Sequence, residues 1–241
     1  MGISLKNITL AYGSRTLLEN VSAEIPPAAL TAFLGRNGTG KSTLLRTIAG
    51  LKRPATGEIR LCGRPLNSLD NRQLAATVSF VTTEKIRTAN LTCEEMVALG
   101  RAPYTDWIGR LRETDRECVR RALETVGLAG HIRKTLDTLS DGEYQRAMIA
   151  RALAQDTPVI LLDEPTAFLD LPNRHAMVSL LGRLARDEGK CVLFSTHDLE
   201  IALAHSDAVL LIDPPHLLRL PASEVTSEQL LDRLFEGSGM R

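Results

Sequence analysis

Residues 35–42 read Gly-Arg-Asn-Gly-Thr-Gly-Lys-Ser, with three glycines set ahead of an adjacent lysine and hydroxyl. Glycines let a chain turn several backbone N–H groups toward one point, which makes a nest for an anion. The Lys41 ammonium suits the outer oxygens of a phosphate chain, and the Ser42 hydroxyl suits a Mg²⁺ ion bound to them. The flanks fit the same chemistry. Residues 30–34, Leu-Thr-Ala-Phe-Leu, form a short apolar run of the kind a buried strand needs, and residues 42–49 carry helical apolar spacing. Strand, glycine loop and helix together aim a positive helix N-terminus at the bound anion.

A second group lies far downstream. Val159-Ile160-Leu161-Leu162 is an apolar strand that ends in Asp163 and Glu164. Alone this pair is an acidic strand end before the turn at Pro165. Beside a phosphate-binding loop it has a second reading: Asp163 organises Mg²⁺, and Glu164 polarises a water for in-line attack on a terminal phosphate. Residues 139–143, Leu-Ser-Asp-Gly-Glu, begin a helix with the capping box Ser140-x-x-Glu143. The same helix start offers Ser140 and Gly142 as a further anion-binding surface. Ser195-Thr196-His197-Asp198 follows another apolar run and places His197 at a strand end as a polar switch residue.

The elements that must position these groups fall into three blocks. Strands over 3–10, 21–25, 58–61 and 77–82, joined by short turns, suggest an antiparallel sheet beside the phosphate-binding core. Helices over 93–100, 113–126 and 143–155, with a loop at 102–111 holding Pro103, Trp107 and Gly109, suggest an inserted helical subdomain. Strands over 159–162, 191–195 and 208–212 then alternate with helices over 174–188 and 199–205. This order implies a parallel sheet with right-handed crossovers. A short helix over 226–235 and a frayed tail over 236–241 close the chain.

Composition sets outer limits. The chain has 241 residues, 44% of them hydrophobic, enough for a sizeable core. Lysine plus arginine equals aspartate plus glutamate at 29 each, so net charge argues for neither a nucleic-acid partner nor an acidic membrane. Cys62, Cys93, Cys118 and Cys191 are scattered without metal-ligand spacing and fit a reducing compartment. No stretch reaches the roughly 20 apolar residues needed to span a bilayer. Residues 208–220 come nearest, and Asp213, Pro214 and Pro215 interrupt them.

Taken in order, these motifs resemble the nucleotide-binding subunit of ATP-binding cassette (ABC) transporters over nearly the whole chain. The resemblance implies an α/β fold: a P-loop NTPase core with a parallel sheet, an N-terminal antiparallel β subdomain and an inserted helical subdomain. It divides the chain into a core of residues 1–84 and 156–241 and a helical subdomain of residues 85–155. It makes residues 35–42 the Walker A loop and residues 159–163 the Walker B strand. It also makes residues 139–143 the signature motif, residues 167–170 the D-loop ending in Asp170, and His197 the H-loop histidine. Gly35, Asn37, Gly38, Thr39, Gly40, Lys41, Ser42 and Thr43 are then nucleotide-binding, with Tyr12 as the aromatic that stacks on adenine. Glu164 and His197 are catalytic. Ser42, Asp163 and Thr83 are the metal set, Thr83 standing where the family's Q-loop has glutamine.

The resemblance further implies ATP and Mg²⁺ as ligands and a head-to-tail dimer. In that dimer ATP is sandwiched between the loop of one copy and Ser140 and Gly142 of the other. Transmembrane permease subunits would be the direct partners and a substrate-binding protein an indirect one, with the chain cytoplasmic and peripheral on the inner membrane face. Residues 97–104, Val-Ala-Leu-Gly-Arg-Ala-Pro-Tyr, resemble importers of iron-siderophores, haem and cobalamin. An exporter, a lipoprotein-release ATPase and a soluble Fe–S-assembly ATPase are the alternatives. Two residues depart from the common pattern: Asp141 adds an anion to the signature, so its side chain is expected to point away from phosphate or to weaken ATP-driven closure, and Thr83 replaces the Q-loop glutamine, its shorter hydroxyl reaching Mg²⁺ or water unless Glu84 substitutes for it.

Overall fold

The computed structural model describes residues 2–13, 15–84, 88, 90–167, 169–227 and 230. In β1 (Ile3–Tyr12) and β2 (Arg15–Ile25), buried and exposed residues alternate with breaks, which is the signature of a one-sided sheet with bulges. By contrast, all seven residues of β3 (Ala29–Gly35) are buried, as a strand covered on both faces must be. A glycine loop joins β3 to α1 (Lys41–Ile48), followed by β4 (Thr56–Leu61) and the two-residue β5 (Arg64–Pro65). Asp70 caps the short α2 (Asn71–Ala75) before β6 (Val78–Val81).

The helical block contains α3 (Cys93–Ala98), a 3₁₀ turn over Leu99–Tyr104, α4 (Glu113–Thr125) and α5 (Asp141–Ala154). Reciprocal capping boxes start α3 at Thr92 and α5 at Ser140. The chain then runs through β7 (Val159–Leu162), α6 (Leu171–Asp187), β8 (Cys191–Ser195), α7 (Leu199–His205), β9 (Ala208–Asp213) and β10 (His216–Pro221).

Two sheets result. Strands β2-β1-β4-β5 form an antiparallel sheet, and β10-β9-β3-β8-β7-β6 form the other. In the second, β6, β7, β8, β3 and β9 are parallel, and only β10 runs back against β9. Period-two alternation splits its side chains between two cores. Leu30, Ala32, Leu34, Ile160, Leu162 and Phe194 face α3–α7. Phe33, Leu161, Leu193 and Ile212 face α1 and the antiparallel sheet. The C-terminal end of α5 is fastened to the β6 edge: the Gln155 amide donates to Ala75 O (2.6 Å) and Val78 O (3.0 Å), and Arg151 donates to Phe80 O.

The expected α/β architecture holds, with local corrections. The strand expected at 77–82 is not in the antiparallel sheet; β6 pairs in parallel with β7, Val78 opposite Val159. β2 begins at Arg15 rather than residue 21, because its first half pairs with β1 across bulges despite its polar residues. Three elements have no counterpart in the sequence expectations: β10, α2 and the 3₁₀ turn over Leu99–Tyr104, which replaces the end of the expected 93–100 helix and the start of the 102–111 loop. α5 and α6 start two and three residues early, at the positions their caps dictate. Most of the helix expected over 226–235, the tail over 236–241 and Phe168 lie outside the described residues. All four cysteines are free, and burial pushes the Cys191 thiol up to about 12.

Candidate functional site

β3 stops at Gly35, where a Cβ would come within 2.9 Å of Thr39 Oγ1 and 3.2 Å of Ile212 Cβ. The chain then turns through Gly38 (φ +77°) and Gly40 (φ +109°), backbone states that side chains resist. The Thr39 hydroxyl closes the turn on Arg36 O at 2.8 Å. Lys41 opens α1 and is only 6% exposed, with its ammonium donating to Gly35 O at 2.7 Å and Arg36 O at 3.2 Å. Burial lowers its pKa, while the nearby Glu164 and Asp163 carboxylates pull it back up.

A cavity of about 310 Å³ sits over this loop. Asn37, Gly38, Gly40, Lys41, Ser42 and Thr43 form its floor, and Tyr12, Arg15, Leu17 and Glu164 its walls. Tyr12, at the end of β1, is 67% exposed, with Lys52 Nζ 5.1 Å from its ring centre. An exposed aromatic beside a basic, glycine-rich pocket is suited to a ligand with a flat ring at one end and phosphates at the other.

Both carboxylates come from the end of β7, which β8 separates from β3. Asp163 follows β7 and is nearly buried, its N–H bonded to Val81 O on β6. Glu164 has φ +48°, a left-handed backbone unusual for a residue with a Cβ. His197 Nδ1 stands 3.5 Å from Glu164 Oε2. Ser195, the last residue of β8, donates its hydroxyl to Asp163 Oδ1 at 2.7 Å and accepts the Glu164 N–H at 2.8 Å. Lys41, Asp163 and Glu164 thus interact electrostatically, and His197 stands beside Glu164. Ser195 precedes Thr196 and His197 in the sequence, where no spaced motif assigns it a role. Its one signal was a hydroxyl ending an apolar strand. Arg15 and Leu17 line the cavity without a motif that marks them.

Ser140 and Gly142 do not line this cavity. Ser140 caps α5, accepting the Glu143 N–H, while its own N–H donates to Glu143 Oε2 at 2.8 Å. That backbone hydrogen bond lowers the Glu143 pKa, and His131 Nε2 lies 2.7 Å from the same side chain. Thr83 lies beyond the end of β6, half-buried and away from the cavity lining, and Glu84 is engaged with Arg46 at 2.9 Å.

The family model for the ABC transporter matches residues 18–167, which include the phosphate loop, Ser140 and the Asp163–Glu164 pair. The chain belongs to the ABC transporter family. It is an ATPase of the ATP-binding-subunit type. The ferric enterobactin transport ATP-binding protein FepC of Escherichia coli is 34% identical over 231 residues, which are 95% of this chain and 85% of that protein. A metal-chelate type ABC transporter in an inward-facing conformation superposes with a TM-score of 0.86 at 27% identity, covering 98% of this chain and 89% of that one. A dimeric cassette in a post-hydrolysis state, bound to ADP and Pi, superposes with a TM-score of 0.79 at 28% identity over 91% and 98% of the two chains. Among the described residues of this ABC ATPase, no helix is long and apolar enough to cross a membrane.

Proposed function

We propose that this ABC ATPase is the motor subunit of an importer that carries iron-siderophore, haem or cobalamin chelates. The observation that carries the motor role is the Lys41 cavity with Glu164 on its wall and His197 beside that carboxylate. The cargo class rests on the ferric enterobactin relative and the metal-chelate neighbour. ATP lies with its adenine on Tyr12 and its phosphates on the N–H groups of residues 37–43. The Lys41 ammonium exchanges Gly35 O and Arg36 O for the β- and γ-phosphate oxygens.

The Ser42 hydroxyl at the cavity floor and the Asp163 carboxylate are a donor set of the hard-oxygen type that fits Mg²⁺. When bound there, the ion neutralises charge on the phosphate oxygens. Thr83 joins this set by resemblance alone. The Glu164 carboxylate takes a proton from the attacking water as its oxygen bonds to the γ-phosphorus and the bond to the ADP oxygen breaks. His197 keeps the carboxylate aimed at that water.

Ser140 and Gly142 serve the cavity of a second copy, which explains why they lie outside this one. A head-to-tail pair then closes on two ATP molecules, and hydrolysis releases it. Permease subunits on the inner membrane face convert closure into transport, with cargo delivered by a binding protein. Residues 85–155 form the helical subdomain within a core of 1–84 and 156–241, a division supported by the mutual contacts of α3, α4 and α5. Glu164→Gln tests the mechanism: with ATP and Mg²⁺ the variant should lose hydrolysis and accumulate as a dimer in size-exclusion chromatography. Hydrolysis at the wild-type rate would refute the role given to Glu164.

A further inference from the structure

We infer that Ser195 is a positioning residue for hydrolysis, fixing the Asp163 carboxylate and the Glu164 backbone through one hydroxyl. The inference rests on the roles proposed above for Asp163 and Glu164. Ser195 ends β8, which runs parallel to β7 with Leu162 opposite Phe194, so it stands beside Asp163 one step further on. Alternation puts it on the same face as Leu193 and Cys191, the face that looks toward α1 and the phosphate loop. Its exposure is 0%.

A serine hydroxyl has one proton to give. The Glu164 N–H points at Ser195 Oγ from 2.8 Å, so the oxygen acts there as acceptor. The proton is therefore committed to Asp163 Oδ1 at 2.7 Å, a short charge-assisted bond. This has two consequences for the site. The Asp163 carboxylate is anchored through Oδ1 and cannot rotate without breaking the bond. On the other side, the Glu164 N–H is held at φ +48°, a backbone state that persists only when its surroundings enforce it. Glu164 Oε2, 3.5 Å from His197, inherits its direction from that backbone. One atom thus sets the metal-side carboxylate and the water-side carboxylate relative to each other. Alanine here would leave a buried carboxylate oxygen and a backbone N–H without this partner.

Ser195→Ala and Ser195→Thr test the inference in the full-length protein. Partners of this kind typically cost about 10–100-fold in activity or metal affinity when removed. Ser195→Ala should lower kcat by that order with KM for ATP little changed, since Lys41 and the loop are intact. In a Glu164→Gln background with ATP bound, it should weaken Mn²⁺ binding, read by electron paramagnetic resonance, by about tenfold. Ser195→Thr, which keeps the hydroxyl, should recover most of both. Wild-type kcat and Mn²⁺ affinity in Ser195→Ala would overturn the inference. So would equal impairment of both variants with Mn²⁺ affinity unchanged, which marks a packing effect. If Ser195→Ala does not fold, Ser195→Cys, near-isosteric but a weak donor, carries the same measurements. Asp163→Asn is the control: unchanged hydrolysis in that variant would remove the underlying role of Asp163 itself.

Discussion

Replacing Arg101 with alanine should destabilise the helical block severely. Arg101 lies in the 3₁₀ turn after α3, and its Nε bonds Asp115 Oδ1 at 2.9 Å with the two side chains only 10% and 4% exposed. Its Nη1 donates to Ala154 O at 2.8 Å, and its guanidinium sits 4.0 Å from the Tyr104 ring centre. One side chain thus ties the start of α4 to the end of α5. Removing one partner of a buried ion pair costs about 3–5 kcal/mol, because the other charge stays buried. The orphaned carbonyl and the lost ring contact each contribute about 1 kcal/mol, overlapping with that figure rather than adding to it. About 4 kcal/mol is a large share of the usual 5–15 kcal/mol and corresponds to a fall in Tm of about 8–16 °C. Scanning calorimetry and urea unfolding measure it. Arg101→Met combined with Asp115→Leu should recover part of the loss, since an apolar pair leaves no bare charge while the Ala154 carbonyl and the Arg112 N–H still lose these partners.

The pH dependence supplies a second check. Burial favours the neutral form of Asp115, but the Arg112 N–H and Arg101 outweigh it and hold the pKa below the usual carboxylate value. In the wild type the pair's contribution is present above the unfolded pKa and is lost as pH falls through the lower folded one. In Arg101→Ala the buried carboxylate lacks its cation, so its folded pKa moves up and protonation relieves it. The gap between variant and wild type should therefore narrow as pH falls from about 7 toward about 4. A loss under about 1 kcal/mol, or a gap independent of pH, would refute the assignment of Arg101 and Asp115 as a buried pair.

Two further outcomes concern the nucleotide site. At Gly40, φ is +109° and a Cβ would stand 3.1 Å from Leu17 Cδ1, so Gly40→Ala should distort the loop and weaken ATP binding by about tenfold or more. Titration calorimetry reads this, and wild-type affinity would count against the loop geometry. Asp141→Gly removes an anion from the α5 end that faces phosphate in the proposed dimer. Sedimentation should show a tighter ATP-bound dimer, and one that is unchanged or weaker would contradict that placement.

The phosphate loop, the Asp163–Glu164 pair and His197 were legible because each combines an apolar run with polar residues at its end. The run locates the strand, and the strand delivers the polar group. Strand partners were not legible in the same way. Alternation marks residues 77–82 as extended, yet only the pairing with β7, 81 positions away at Val78 and Val159, decides which sheet they join. β10 was hidden because the prolines at 214 and 215 read as an interruption, whereas they form the turn of an antiparallel hairpin. Ser195 belongs to no spaced motif, so its bond to Asp163 becomes visible only when β7 and β8 lie side by side.

The fastening of α5 at one end has a mechanical consequence. This 14-residue helix is about 21 Å long. Its Gln155 end is pinned to the sheet by the amide bonds to Ala75 and Val78, whereas the Ser140 end projects away from that pin. Pivoting the rod by about 10° sweeps its far tip through about 4 Å, longer than a hydrogen bond. In the head-to-tail dimer proposed above, a swing of that size about the side-chain amide would be enough to engage or withdraw the serine at the tip.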